Sequence, residues 1–305
     1  MPSPVISVSG LEMSYGRTQA VRGIDLTVER GEVFAFLGPN GAGKTTTVEI
    51  LEGYRRRTGG EVEVLGADPQ RSGRDWRERI GIVLQSSRLD PYLTVRESLE
   101  LFAGYYRTPL PVEQVITLVG LDRKADERAR RLSGGQLRRL DVGLALIGDP
   151  ELLFLDEPTT GFDPSARRQF WEVIAGLREL GKTVFLTTHY MDEAQRLADR
   201  VTIIAAGQIV ARGTPADLGA RAGGATTIRY RSGGREVAVE TTEPVKALHE
   251  LTGAALRKGE DLEGLEVTKP TLEDVYLELT APAEAGDAAA AAEAGDPAAA
   301  EARAG

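Results

Sequence analysis

Eight consecutive residues, Gly38, Pro39, Asn40, Gly41, Ala42, Gly43, Lys44 and Thr45, fit the pattern G-x-x-x-x-G-K-[ST], and Thr46 follows them. Glycines at this spacing let the backbone turn tightly and bring successive N–H groups against phosphate oxygens. Lys44 adds a cation between phosphates, and Thr45 offers a hydroxyl to Mg²⁺. The flanks suit the chemistry. Glu32–Leu37 reads as a strand and Thr46–Leu51 as a helix, whose positive N-terminal end faces the anion. The alternative is a glycine-rich turn that merely looks like a phosphate cradle; the strand–loop–helix order argues against it.

A second group lies at Leu152–Glu157, where four apolar residues precede Asp156 and Glu157. Carboxylates at the C-terminal end of a buried strand stand at the edge of a parallel sheet where ligands bind. Asp156 can hold Mg²⁺, directly or through water, and Glu157 can polarise an attacking water. Taken alone, the pair could equally be an acidic strand end that caps a helix. Beside a phosphate cradle, it points to hydrolysis of a nucleotide.

These residues need a rigid frame, and the rest of the chain supplies one. Apolar runs at Val5–Val8, Val33–Leu37, Ile80–Leu84, Leu152–Leu155, Val184–Thr187 and Val201–Ile204 alternate with helical patterns near 44–52, 95–106, 134–147, 165–180 and 191–198. Continuous apolar runs suit strands buried on both faces, and the alternation predicts an α/β core. Residues 86–150 look largely helical and read as an insertion. From 224 to 280 the pattern restarts as a small α+β unit, with a hairpin of Thr226–Arg231 and Glu236–Glu240 around Ser232-Gly233-Gly234. Residues 281–305 are almost all Ala, Glu, Gly, Asp and Pro and are expected to be disordered.

Composition narrows the function classes. No stretch of about 20 apolar residues exists, and no basic region followed by an apolar one opens the chain, so neither a span nor a signal peptide is expected. Cysteine is absent, which excludes disulfides and thiolate metal sites. The net charge of −9 argues against a nucleic-acid partner, and the arginine runs Arg55–Arg57 and Arg138–Arg139 read as solvated faces.

Leu132-Ser133-Gly134-Gly135-Gln136 matches the signature of ABC ATPases at every position and, as in that family, lies just before the Asp156–Glu157 strand. The chain therefore resembles an ABC transporter ATP-binding subunit over about residues 5–280. The resemblance implies a P-loop NTPase cassette over 5–220: a mixed sheet with an antiparallel β portion, a helical subdomain at about 86–150, and the α+β unit at 224–280 behind it. It implies ATP and Mg²⁺ as cofactors, and Ser133 to Gln136 as a second anion-binding helix N-terminus serving the nucleotide of another cassette, as in a homodimer. Tyr15 resembles the aromatic that stacks on adenine; its alternative is an ordinary strand tyrosine. Gln85 occupies the position of the glutamine that reaches Mg²⁺ or water and faces the membrane partner. Asp163, in Thr160-Gly161-Phe162-Asp163, matches the loop that crosses to the second subunit, although Gly-Phe stands where many members have Ala-Leu. His189 lies at the switch position, where it can touch the γ-phosphate and help hold Glu157. His249 is assigned no role.

The stretch from Leu132 to Pro164 and the segment Pro270–Thr280 look like the daunorubicin-resistance branch of exporters. That branch implies a separate permease of about six spans, a place on the cytoplasmic face of the membrane, and drugs, antibiotics, lipids or polysaccharides as substrates. An importer ATPase is the alternative, though such chains usually end in a longer regulatory barrel. A soluble non-transport ABC ATPase would carry two cassettes or long heptad repeats, and neither appears.

Overall fold

A computed structural model describes residues 3–84, 89–221, 226–232, 235–268, 272–277 and 279–280. The chain divides into two compact units at Pro215/Ala216.

The first unit opens with β1 (Ile6–Tyr15), β2 (Thr18–Val28), β3 (Val33–Leu37), α1 (Lys44–Leu51) and β4 (Gly59–Val64). It continues with α2 (Arg74–Arg77), β5 (Ile80–Val83), α3 (Val95–Ala103), α4 (Val112–Leu118) and α5 (Gly134–Leu146). Then come β6 (Leu152–Asp156), α6 (Pro164–Glu179), β7 (Thr183–Thr188), α7 (Met191–Leu197), β8 (Arg200–Ala205) and β9 (Gln208–Gly213). Helix α8 (Pro215–Arg221) begins at the division.

Six strands form the central sheet in the order β5-β6-β7-β3-β8-β9. Every neighbouring pair is parallel except β8 and β9. The sequence explains its place in the middle of this unit. All five residues of β3 and all six of β7 are buried, so both faces must be covered. Alternation then sends side chains to two different cores. On one face Phe34, Phe36, Phe154 and Phe185 meet with ring centroids 5.3–5.7 Å apart. There they pack with Val8, Leu11, Ile24 and Leu26 of an antiparallel sheet ordered β2-β1-β4. On the other face Val33, Leu155, Val184 and Leu186 pack with Leu99, Val115, Leu140 and Ile174 of the helices. Each such side chain, fully buried, contributes about 1.5–3 kcal/mol of transfer free energy. The register aligns the strand ends that matter: Leu37 lies opposite Thr188, and Asp156 opposite Thr187.

The second unit holds β10 (Thr226–Ser232), β11 (Arg235–Thr241), α9 (Pro244–Lys258) and β12 (Glu263–Thr268), with an antiparallel sheet ordered β11-β10-β12. Ile228 of β10 is fully buried and lies opposite both Val239 and Val267. Gly259, with φ +66°, ends α9 in the left-handed conformation that a β-carbon disfavours.

Several boundaries differ from those read in the sequence. The strand expected at Ile80–Leu84 stops at Val83, and Leu84 is exposed. The helix expected to 106 stops at Ala103. The stretch expected to be largely helical contains α3, α4 and α5 but also long irregular segments and two short 3₁₀ turns at Asp122–Lys124 and Ala129–Arg131. Strands β2, β4 and β9 have no counterpart among the runs read in the sequence; β2 and β4 mix buried with exposed residues, and β9 alternates half-buried and exposed ones, rather than running continuously apolar. The tail 281–305 lies outside the described residues, as do Gln85 and Ser232's turn neighbours Gly233 and Gly234.

Candidate functional site

The glycine-rich loop connects the C-terminal end of β3 to α1. Its tight path is enforced by neighbours. A β-carbon on Gly38 would lie 2.3 Å from the Ile204 carbonyl oxygen, and one on Gly43, whose φ is +102°, would lie 2.5 Å from that of Ala20. Neither position accepts another residue without moving backbone. Lys44 is buried, and its ammonium donates to the carbonyls of Gly38 at 2.7 Å and Pro39 at 3.1 Å. Burial lowers its pKa, while the charges of Glu157 and Asp156 raise it. Thr45 and Asn40 are exposed, so the hydroxyl of Thr45 is open to a ligand.

The carboxylates arrive from β6. Asp156 ends the strand and accepts a 2.5 Å hydrogen bond from the Thr187 hydroxyl of β7. Glu157 takes a left-handed backbone, φ +43°, uncommon for a residue with a side chain. Its N–H donates to the carbonyl and hydroxyl oxygens of Thr187, at 3.1 and 3.0 Å. The turned backbone brings Glu157 Oε2 to 3.3 Å from His189 Nδ1, and the Thr160 hydroxyl donates to the same oxygen at 3.3 Å. Lys44, Asp156, Glu157 and His189 thus converge at the C-terminal edge of β3, β6 and β7.

Tyr15 is 42% exposed at the end of β1. Its hydroxyl lies 3.3 Å from that of Thr46, and the Arg55 guanidinium sits 5.1 Å from its ring centroid. Tyr15 thus stands beside the phosphate loop with Arg55 over one face of its ring.

Ser133, Gly134, Gly135 and Gln136 lie elsewhere. Ser133 caps α5: its hydroxyl accepts from Gln136 N at 3.3 Å, and Gln136 Oε1 accepts from Ser133 N at 3.0 Å. Among the described residues, no hydrogen bond or ion pair links this helix start to residues 38–46 of the same chain. It borders a cavity of about 370 Å³ shared with Glu157, Thr160 and Asp163. Asp163 caps α6, accepting from Ser165 N at 2.8 Å and Ala166 N at 2.9 Å. Gln85 lies outside the described residues.

Three residues at the site went unread in the sequence. Arg138, expected on a solvated face, is buried, and its guanidinium donates to the carbonyls of Leu84, Asp156 and Pro158. Its neighbour Arg139 is half-buried as well and donates to the Gly120 carbonyl at 2.9 Å, so neither arginine is simply solvated. The signal available for Arg138 was Asp141, three residues on and 3.8 Å away. Thr187 and the buried Glu193 are the others. A threonine near the end of an apolar strand and an acid on a short helix look ordinary in sequence.

The comparisons place the chain in a family. The model of the ABC transporter family matches residues 21–160. The daunorubicin resistance ATP-binding protein DrrA3 of Streptomyces coeruleorubidus is 37% identical, over 92% of this chain and 97% of its own length. The Nod factor export ATP-binding protein I of Rhizobium johnstonii is 40% identical over 91% and 96%. Among solved structures, cbiO1 from Clostridium perfringens, part of an ABC transporter complex, matches with a TM-score of 0.64 at 27% identity, over 72% of this chain and 92% of that one. A dimeric cassette in a post-hydrolysis state, bound to ADP and phosphate, matches with a TM-score of 0.61 at 26% identity, over 68% and 98%.

Proposed function

Given that this chain belongs to the ABC transporter family of ATP-binding subunits, and is by that membership an ATPase, we propose that it powers an exporter through a separate membrane permease. The observation that carries the catalytic part is the convergence of Lys44, Asp156, Glu157 and His189 at one sheet edge, with Glu157 and His189 3.3 Å apart.

Each residue then has a task. The N–H groups of Gly41 to Thr45 and the Lys44 ammonium hold the β- and γ-phosphates. Tyr15 stacks on adenine. Glu157 accepts the proton of the attacking water as its oxygen bonds to the γ-phosphorus, and the bond to the β-phosphate oxygen breaks. His189 holds Glu157 and contacts the γ-phosphate. The donor set fits Mg²⁺, since the Thr45 hydroxyl, the Asp156 carboxylate and Gln85 are hard oxygen ligands, which with phosphate oxygens and water complete such sites. Bound there, the ion would neutralise charge on the β- and γ-phosphates.

Two further parts follow from the placement of Ser133. Among the described residues, its helix start makes no hydrogen bond or ion pair to its own phosphate loop, which supports a role toward the nucleotide of a second cassette, with Asp163 near the crossing point. Two copies closing on two ATP and reopening after hydrolysis make a switch between two states with different contacts. The permease surface we assign to a groove of about 520 Å³ lined by Ile82, Leu84, Leu89, Phe102 and Tyr106, with Glu52 among its walls. Ile82, Leu84 and Phe102 are exposed there, and apolar groups gathered at a surface mark one that a partner covers. The names of the relatives, DrrA3 and the Nod factor export proteins, support efflux over import. Among the described residues, no helix is long and apolar enough to cross a membrane, so the spanning part falls to the partner.

The test is to identify the product of the neighbouring gene and, where that product is a membrane protein of about six spans, to co-express the two. A tagged chain should sediment with membranes that contain this permease and stay in the supernatant with membranes that lack it. Equal distribution in both would overturn the permease assignment.

A further inference from the structure

Glu193 of α7 is fully buried, yet no step above uses it. Its carboxyl sits where three segments of the site meet. The Trp171 indole of α6 donates to Oε1 at 3.1 Å. The Thr188 hydroxyl, at the end of β7 beside His189, and the Thr159 hydroxyl, in the loop after Glu157, are both buried, and hydrogen bonding from both favours the carboxylate. Burial outweighs them and the more distant Arg167, and raises the pKa toward the neutral acid. Glu193 Oε2 and Thr159 Oγ1 each lack a hydrogen bond of ordinary geometry. A second path joins the same parts: Arg167 of α6 lies 4.0 Å over the Tyr190 ring, whose centroid is 4.1 Å from that of His189.

A buried carboxyl is costly without partners, and short helices contribute little stability alone. The Glu193 carboxyl is therefore oddly placed for a purely structural group, where an apolar side chain would pack better. Its neighbours give the reason. Thr188 precedes His189, Thr159 follows Glu157 by two residues, and Trp171 belongs to the helix that Asp163 caps. We propose that Glu193 is a positioning residue that ties the loop of Glu157 and the strand end of His189 to α6, and so holds these two side chains at 3.3 Å. It touches no reacting atom and acts through its hold on the pair.

This rests on the reading of Glu157 and His189 as the hydrolytic pair, and the experiment separates the two. Steady-state phosphate release by the full chain gives kcat and KM for ATP in Glu193→Ala, Glu193→Gln, His189→Ala and the double variant Glu193→Ala with His189→Ala. Misplacing a catalytic group by an ångström can cost about 100-fold. Glu193→Ala should therefore lower kcat by about tenfold or more, with KM within about threefold of wild type. Glu193→Gln should restore kcat to within about threefold, because its amide accepts from Trp171 and donates to Thr159 as a neutral acid would. In the His189→Ala background, Glu193→Ala should cost less than about twofold, because the Glu157–His189 contact that it holds is already broken. A general loss of packing would instead multiply with His189→Ala. That result, an unchanged kcat in Glu193→Ala, or a Gln variant as slow as Ala would each overturn the proposal. If Glu193→Ala does not fold, Trp171→Phe removes the same donor: its kcat should fall with KM kept, and the fall should vanish with His189→Ala; an unchanged kcat overturns the proposal. Glu157→Gln in the same assay is the control. If it hydrolyses ATP at the wild-type rate, the site assignment fails; if it is inactive and the Glu193 and His189 effects still multiply, only the positioning role fails.

Discussion

Arg138 joins three backbone segments that the site depends on. Its Nε donates to Pro158 O at 3.1 Å, Nη2 to Asp156 O at 2.9 Å, and Nη1 to Leu84 O. The side chain is 8% exposed, and Asp141 lies 3.8 Å from it. Arg138→Met keeps the stem and removes all three bonds. The carbonyls of Asp156 and Pro158 face the interior, and each buried acceptor left unpaired costs about 1–3 kcal/mol. Leu84 is exposed, so water replaces that bond. The two carbonyls therefore set a loss of about 2–6 kcal/mol. In a unit of this size each kcal/mol moves Tm by about 2–4 °C, so the main transition should fall by roughly 4–24 °C. Arg138→Lys should fall by less, since one ammonium reaches fewer of the carbonyls and lacks the planar fork. Circular dichroism during heating measures the shift, and phosphate release below the transition tests whether the Asp156 end has loosened. A methionine variant within about 1 kcal/mol of wild type would refute the reasoning.

Three further outcomes are expected. Lys44→Ala should weaken ATP binding by about 10–100-fold in calorimetry, the worth of about 1.5–3 kcal/mol for a bond to a charged group, and unchanged affinity would contradict the phosphate-loop assignment. Ser133→Arg should leave ATP binding by one copy intact and prevent ATP-driven pairing in gel filtration; pairing that persists would remove the role of Ser133 toward a second nucleotide. The Glu52 carboxyl is pushed up to about 8, first by burial and then by the charges of Asp156 and Glu49. A carboxyl raised in the folded state binds its proton more tightly there, so its stabilisation is complete below about pH 4.5 and is lost as pH rises toward 8. Glu52→Gln should therefore gain on wild type by up to about 1.4 kcal/mol per pH unit across that window in urea unfolding. A pH-independent difference would contradict the burial of a neutral acid at this position.

Much of the site was legible because its chemistry is local. The phosphate loop, Asp156–Glu157 and the Ser133 start of α5 are each contiguous segments whose backbone forms the feature. The buried strands were legible for the same reason, since β3 and β6 are short unbroken apolar runs. Residues that act across the fold left no such trace. Thr187 meets Asp156 only because β6 and β7 pair in that register, and Arg138 meets Asp156 only because α5 packs behind β5 and β6. Strands β2 and β4 escaped because an antiparallel sheet with one wet face needs only every other residue apolar, a weak signal where bulges interrupt it, as between Val8 and Leu11 of β1. Helix α4, with Val115 and Ile116 buried, was too short for its period to stand out.

The central claim is that Glu157 performs hydrolysis between two copies of the chain, and Glu157→Gln tests it most directly. Glutamine keeps the size of the side chain but cannot take the proton of the attacking water, so the chemical step should slow by about 10²–10⁴-fold. Lys44, Thr45, Asp156 and the second copy's signature serine remain to bind nucleotide. Light scattering with Mg·ATP, run beside phosphate release, reads both consequences. The mutant should form a stable ATP-dependent dimer with almost no phosphate released, while the wild type stays monomeric or weakly dimeric as it turns over. Hydrolysis at the wild-type rate, or a mutant that remains monomeric with saturating Mg·ATP, would contradict the claim.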